Sequence, residues 1–333
     1  MHNRPMADIP AVICLGEALV DRLGPPGGDP AVDQPVDDRL GGAPANVACA
    51  LARLGTATAF IGRLGDDANG QAFRQLFRER GVDQRAVQDD AQRPTRVVLV
   101  RRSVVGERQF QKFDGDLGQG FADQALALAQ LKAVWPELAH PRAWLLIGTI
   151  PLAYTSAAET LHWAVDHARA MGMPIALDVN WRPTFWDPSA DPSSGPSPPA
   201  RAAIRQLLNQ ASLLKLAREE ALWFFQTDNP VAISADLSQQ PDVVVTDGPA
   251  PVRWCIEADC GVLEVVSPPR LVDTTGAGDA FTAGLIHAWS QPVAERLRFA
   301  AACGALVCGG AGAIDPQPTQ RDVESFFGGR QRS

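Results

Sequence analysis

The chain has 333 residues, 46% of them hydrophobic and 20% charged, with a net charge of −8. That length suits one large α/β domain or a main domain with a small appendage, and the composition carries no signature of long disorder. The negative balance excludes a general nucleic-acid binder, which needs clustered Lys and Arg, yet still allows a phosphate ligand held by backbone N–H groups at a helix start.

Residues 1–10 lack a basic region followed by an apolar stretch, so no signal peptide is read there. No apolar run approaches the roughly 18 residues that span a membrane. The six cysteines, Cys14, Cys49, Cys255, Cys260, Cys303 and Cys308, include no C-x-x-C pair. They are expected as reduced thiols in a soluble, cytoplasmic protein.

Residues 11–20 read as one buried strand ending at Asp21, and residues 24–38, rich in Pro, Gly and Asp, as a loop. After Gly41-Gly42-Ala43-Pro44-Ala45-Asn46, the apolar residues Val47, Ala50, Leu51 and Leu54 follow the stripe of an amphipathic helix. Pro44 suits its first turn and Gly55 its end. A strand over 56–61 and a helix over 69–80, closed by Gly81, come next. Residues 95–103 and 108–113, joined across Val105-Gly106-Glu107, read as a hairpin. Its Arg101, Arg102, Arg108 and Lys112 face either solvent or a ligand.

From Phe121 onward the pattern alternates. Helices are predicted at 122–134, 155–172, 201–209 and 218–226, and buried strands at 143–147, 175–179, 213–216 and 243–246. Such alternation implies a parallel sheet with helices on both faces. Residues 187–199 carry five prolines among small polar residues and read as a surface insertion or a loop closing over a site. His162 and His167, at i and i+5, do not share a helix face and make no metal pair.

The most informative stretch is Asp273-Thr274-Thr275-Gly276-Ala277-Gly278-Asp279. It follows a strand predicted at 262–266 and precedes a helix with Phe281, Gly284, Leu285 and Ala288 on one face. A strand, a Gly-x-Gly turn and a helix aim free N–H groups at an anion, and the glycines let backbone approach a phosphate. Asp279 falls in the first helical turn. A carboxylate there would repel a phosphate held only for binding, so its placement suits a base that takes a proton from an attacking hydroxyl. The amides of Gly276, Ala277 and Gly278 would then stabilise charge on a transferring phosphoryl group.

This seven-residue string resembles the C-terminal signature of the PfkB, or ribokinase-like, carbohydrate kinases. The 41–46 string, continuing to Leu54-Gly55 and Gly65-Asp66-Asp67, resembles the N-terminal signature of the same family. The resemblance runs from about Val12 to about Thr319. Within the family, Gly16-Glu17 through Asp21, the string Asp178-Val179-Asn180-Trp181-Arg182-Pro183 with Phe185-Trp186, and Gly312-Ala313-Ile314 are most similar to fructokinases.

The resemblance implies a three-layer α/β fold in one domain over 8–328. A mostly parallel central sheet would carry helices on both faces, and a small β lid would come from about 32–40 and 95–114. It implies ATP-dependent phosphorylation of a sugar hydroxyl, with D-fructose as the leading acceptor. Ribose, 2-keto-3-deoxygluconate or a nucleoside is the alternative, and a non-catalytic module of the same fold the third reading. It assigns Asp279 as the base and Gly276, Ala277 and Gly278 as the anion hole. Arg182 would clamp phosphate, and Asp21, Gly41, Gly42 and Asn46 would hold the sugar. Lys215, Thr246 and Gly248 would contact ATP, with residues 309–312 bordering the adenine. Glu220 would support Mg²⁺ through water, and Asp273 a monovalent cation such as K⁺. Ala217 and Ala301 depart from the family pattern at positions where relatives carry polar residues. A homodimer through the lid is the implied assembly, with no nucleic-acid or membrane partner.

Overall fold

The computed structural model describes residues 10–103, 108–268 and 270–330. The first nine residues, the 105–107 link of the expected hairpin and Pro269 lie outside that set. Strand β1 (Val12–Leu15) is fully buried: Val12 and Cys14 pack into one layer, Ile13 and Leu15 into the other. That two-sided burial marks a central parallel strand.

The expected single strand over 11–20 is broken at Gly16, and the reason is steric. Gly16 has φ +156°, and a Cβ there would stand 2.5 Å from Cγ of Pro44. The chain turns away and starts β2 (Leu19–Pro26), which pairs antiparallel with β3 (Asp37–Gly41). The stretch 24–38 is therefore only partly loop.

Helix α1 (Ala43–Leu54) begins at Gly42 with Pro44 in its first turn and ends at Gly55, which is left-handed. Strand β4 (Thr58–Gly65) pairs parallel with β1. Helix α2 (Ala68–Arg80) is capped by Asp67, whose side chain accepts from Gly70 N at 2.7 Å, and is closed by left-handed Gly81. Strand β5 (Val87–Asp90) follows; its short length hid it from the sequence reading. Strands β6 (Val97–Arg102) and β7 (Arg108–Asp114) pair antiparallel, as the hairpin reading requires. With β2 and β3 they form a small sheet in the order β3-β2-β6-β7.

The helix expected over 122–134 is divided into a 3₁₀ turn at Ala122–Ala125 and α3 (Leu128–Leu138). Gln88 divides it: its side chain accepts from Ala127 N at 2.7 Å and donates to Ala127 O at 3.0 Å, holding that peptide out of the helix. The alternation then runs β8 (Trp144–Ile147), α4 (Thr155–Ala170), β9 (Ile175–Asp178), the short α5 (Pro183–Trp186), α6 (Pro198–Leu208), β10 (Leu213–Ala217), α7 (Arg218–Phe225), α8 (Pro230–Ala235) and β11 (Asp242–Asp247). An antiparallel pair, β12 (Ala250–Ile256) and β13 (Asp259–Leu263), extends the edge before α9 (Ala277–His287), α10 (Val293–Val307) and α11 (Gln320–Arg330).

Among the described residues the large sheet has the order β13-β12-β11-β10-β9-β8-β1-β4-β5. One face packs against α3, α4 and α6, the other against α1, α9 and α10. The strand order reverses between β1 and β8, and in open α/β sheets ligands bind outside the strand ends at such a point. The small sheet covers that place, with Leu19 and Val98 packed in one cluster with Ile150 and Phe185 of the body. Among the described residues no helix is long and apolar enough to cross a membrane.

The cysteine reading needs correction. Cys14, Cys49, Cys303 and Cys308 are buried free thiols, but Cys255 and Cys260 stand directly opposite in the β12–β13 ladder and are joined as a disulfide.

Candidate active site

Strand register builds the floor of the site. Lys215 on β10 lies beside Asp178 on β9 in the parallel ladder. Alternation puts both side chains on the α9 face, because their neighbours Leu177, Leu214 and Leu216 belong to the opposite layer. Lys215 Nζ is 3.1 Å from each oxygen of Asp178, and Thr282 Oγ1 on α9 donates to Asp178 Oδ2 at 3.0 Å. Burial alone would lower the Lys215 pKa, but Asp178, Glu220 and Asp279 raise it, so the ammonium stays charged.

Above this floor the anion turn has the geometry its glycines require. Gly276 is the N-cap of α9 at φ +78°, and a Cβ there would come within 2.6 Å of Ala313 Cβ. A Cβ on Gly278 would be 3.0 Å from Lys215 Nζ, so the ammonium sits directly beneath the turn. The N–H groups of Gly276 and Gly278 at the helix start and one buried cation therefore converge on one spot, the arrangement that holds a phosphate. Ala277 departs from the expected anion hole, because its N–H donates to Thr274 O at 3.2 Å within the turn. Asp273 ties this turn down. Its Oδ1 accepts from Thr275 N and Oγ1 at 3.0 and 2.7 Å, and its Oδ2 from Gly312 N at 2.8 Å.

Asp279 occupies the first turn of α9 and accepts from Asn46 Nδ2 at 2.8 Å. Burial pushes its carboxyl up to about 6, helped by the nearby Asp178 charge and opposed by the Asn46 hydrogen bond, Lys215 and Arg182. A carboxylate with that value is ionised at neutral pH and is still a useful proton acceptor. Asn46 lies inside α1, so its side chain serves this cross-helix bond and does not cap the helix.

A cavity of about 490 Å³ opens between these groups and the small sheet. Gly276, Gly278, Asp279, Lys215 and Arg182 line it together with Asp21, Gly42 and Asn46. Gly42 has φ +98°, and a Cβ there would meet Glu17 O at 2.6 Å. Asp21 lies against Gly41, whose Cβ position is 3.2 Å from Asp21 Oδ2. Arg182 is exposed to the cavity and donates to its neighbour Trp181 O at 2.8 Å.

Glu17 lines the same cavity and was not singled out from the sequence as a functional residue. It is 3% exposed, and its Oε1 accepts from Ala43 N at 3.0 Å. Burial pushes its carboxyl up to about 8, with Asp123 and Asp279 adding to the rise against two backbone hydrogen bonds. The folded value exceeds the unfolded one, so this stability is fully present below about pH 4.5 and is lost as pH rises to about 8, a loss on the order of a few kcal/mol. Glu17→Gln cannot ionise. Its melting temperature is expected to fall less than wild type between pH 5 and pH 8.5; parallel pH profiles in thermal melts would refute this.

Other expected site residues are spread more widely. Gly41, Ala277, Thr246, Gly248 and Asp273 do not line the cavity, although Gly41 and Ala277 adjoin residues that do. Thr246 is the penultimate residue of β11, paired in register with Ala217. Glu220 is braced: its Oε1 accepts from Trp181 N and its Oε2 from Ala217 N, each at 2.7 Å. Burial raises its pKa, opposed by Lys215. Ala217 lines the cavity, and Ala301 is buried within α10. Of the lid cations, Arg101 pairs with Asp29 and Arg102 donates to Gly24 O, outside the cavity. The 187–199 stretch reaches the site, since Pro192 lines the cavity and Trp181 Nε1 donates to Ser194 O at 2.8 Å.

Three carboxylates, Asp178, Glu220 and Asp279, surround one ammonium. Such an excess of hard oxygen donors fits a divalent cation brought in with phosphates. No cluster of the described residues could hold a metal ion alone, as is usual when phosphates and water supply most of the ligands.

A protein-family model described as pfkB family carbohydrate kinase matches residues 10–320. The chain is 31% identical over 331 residues to the probable fructokinase-7 of Arabidopsis thaliana, covering 95% of this chain and 92% of that one. Its fold matches the crystal structure of a fructokinase with bound ATP from Xylella fastidiosa with a TM-score of 0.79 at 26% identity, over 96% and 98% of the two chains. It also matches a fructokinase from Vibrio cholerae O395 in fructose, ADP and calcium ion bound form, with a TM-score of 0.77 at 27% identity over 95% and 98%. The layered sheet and helices are those of the ribokinase-like fold.

Proposed function

The chain belongs to the pfkB family of carbohydrate kinases, and from that premise we propose that it is a fructokinase, transferring the γ-phosphoryl group of ATP to the 6-hydroxyl of D-fructose. The observation that carries the reading is the shared position of Asp279. Its carboxylate belongs to the anion turn on one side and is hydrogen-bonded to Asn46, from the polyol side, on the other. A base placed there can reach an acceptor hydroxyl while the phosphoryl group lies against the turn. The relatives named as fructokinases support the choice of acceptor.

In this reading Asp21 and Asn46 hold sugar hydroxyls, since a carboxylate accepts two donors and an amide both donates and accepts. Gly41 and Gly42 let the sugar lie against backbone. Asp279 takes the proton of the 6-hydroxyl as its oxygen attacks the γ-phosphorus, and the bond to the β–γ bridging oxygen breaks to release ADP. The amides of Gly276 and Gly278, with Lys215 below, stabilise the charge spread over the moving group. Arg182, which also lines the cavity, meets the phosphates, where its planar fork suits two oxygens. Thr246 and Gly248 belong to the nucleotide side.

Mg²⁺ accompanies ATP and neutralises phosphate charge, with Asp178 and Glu220 on its side of the cleft. A monovalent cation beside Asp273 is the accessory ion of this reading. The assembly is a homodimer through the lid, whose outer strands β3 and β7 are the edges of the small sheet. A cytoplasmic setting belongs to this reading through the family alone, since the chain carries both four buried free thiols and the Cys255–Cys260 disulfide.

The test is a coupled ADP-release assay over D-fructose, ribose, 2-keto-3-deoxygluconate and nucleosides. The highest kcat/KM is expected for D-fructose. A higher value for another acceptor reassigns the substrate; ATP binding without ADP release from any of them indicates a non-catalytic module.

A further inference from the structure

Arg96 is the largest wholly buried side chain among the described residues, and nothing in the transfer reaction uses it. It immediately precedes β6, where the chain leaves the large sheet for the small one. Its carbonyl accepts from Val20 N of β2 at 2.9 Å. The adjacent Thr95 is bonded back to the large sheet, its Oγ1 accepting from Gly65 N and its N donating to Asp67 Oδ2. Residues 95 and 96 therefore form the seam between lid and body.

The guanidinium makes a two-pronged pair with Asp123, Nε to Oδ2 and Nη2 to Oδ1, both 2.9 Å. Asp123 is only 5% exposed at its side chain. Around the cation stand four rings, Phe121, Phe113, Phe185 and Tyr154, with centroids 4.4, 4.6, 4.9 and 5.2 Å from the guanidinium carbon. They come from different parts of the chain: Phe113 from lid strand β7, Phe185 from α5, and Phe121 and Tyr154 from the body. Phe113 and Phe185 meet edge to face at 5.0 Å. Phe185 then forms part of the cavity wall, three residues beyond Arg182.

A charged pair sealed in an apolar cage is a poor device for stability, because well-packed apolar residues of similar volume often serve as well. What it supplies is direction. The carboxylate fork fixes the guanidinium plane, and the rings packed around the cation are fixed in turn. We propose that Arg96, oriented by Asp123, is a positioning residue that sets Phe185 and Phe113 against each other and so fixes how closely the lid wall approaches the acceptor sugar. It touches no substrate; it acts through Phe185. The proposal rests on this cavity being the acceptor site, and it holds for whichever sugar that site takes.

The single variant Arg96→Met leaves the Asp123 carboxylate buried without its partner and is prone to unfold, so the decisive protein is the double variant R96M/D123L. It is assayed with the acceptor that ranks first for wild type in the panel above, so that a wrong assignment of fructose leaves this test intact. The double variant should melt within a few degrees of wild type. Its KM for the acceptor should rise about tenfold while kcat and the KM for ATP stay within about twofold, the pattern of lost acceptor binding. Phe185→Ala should raise the acceptor KM in the wild-type background and add nothing in the double variant, because both changes remove the same constraint. An unchanged acceptor KM in the folded double variant overturns the proposal. So does a fall in kcat together with both KM values shifting, or full additivity with Phe185→Ala.

Discussion

Replacing Asp279 by Asn is expected to lower kcat by about 10²–10⁴, the usual worth of a positioned general base. The amide keeps the size of the side chain and can still accept from Asn46, so the fold and the cavity should survive. The wild-type enzyme should show the same group in its pH profile. A base must be ionised, and burial holds this carboxyl near pH 6. On the acid side kcat/KM should therefore fall with a slope of one below about pH 6, and that limb should be missing from the residual activity of the variant. Wild-type turnover in Asp279→Asn, or a profile flat down to pH 4.5, would remove Asp279 from the chemistry.

Gly276→Ala is expected to cost about 10²–10³ in kcat, comparable to the loss of one oxyanion donor elsewhere. The Cβ has no room: it would stand 2.6 Å from Ala313 Cβ and 2.7 Å from Ala313 Cα, and the residue is left-handed at φ +78°. The anion turn or the 312–315 segment must move, and the amides lose their aim. Because Asp21 lies on β2 and Gly42 and Asn46 belong to the start of α1, the KM for the sugar should hardly change. A second change, Ala313→Gly, removes part of the clash and should restore part of the rate. Full activity in Gly276→Ala would mean that this backbone does not meet the phosphoryl group.

The turns were the legible part of the site. Gly42 and Gly276 stand at positive φ, a demand of local geometry, and local geometry is written in consecutive residues. The pairing of Asp178 with Lys215 was not legible, because it depends on the register of two parallel strands 37 residues apart in the chain. Glu17 escaped for a similar reason: its role follows from Ala43 and Asp279 closing over it, and only packing brings them there.

The sheet edge was misread for a different reason. The β12–β13 hairpin turns at Glu257 and Ala258, both at positive φ (53° and 66°), without the Asn or Gly that marks such turns. With no turn signal, 250–256 was missed, the next strand was placed at 262–266, and the opposition of Cys255 and Cys260 stayed hidden. Arg96 is the converse case. A charged residue at the start of a hairpin suggests a solvated face, and only the arrival of Asp123 and four rings from distant segments makes it the most buried large side chain of the lid seam.

The most direct measurement is calorimetric titration of Asp279→Asn with D-fructose and with a non-hydrolysable ATP analogue in the presence of Mg²⁺. If the carboxylate serves only to receive the acceptor's proton, both ligands bind within about threefold of their wild-type affinity, well under the 1.4 kcal/mol of a tenfold change. Loss of sugar or nucleotide binding alongside turnover would contradict the account, since Asp279 would then hold a ligand in place and would not be the base.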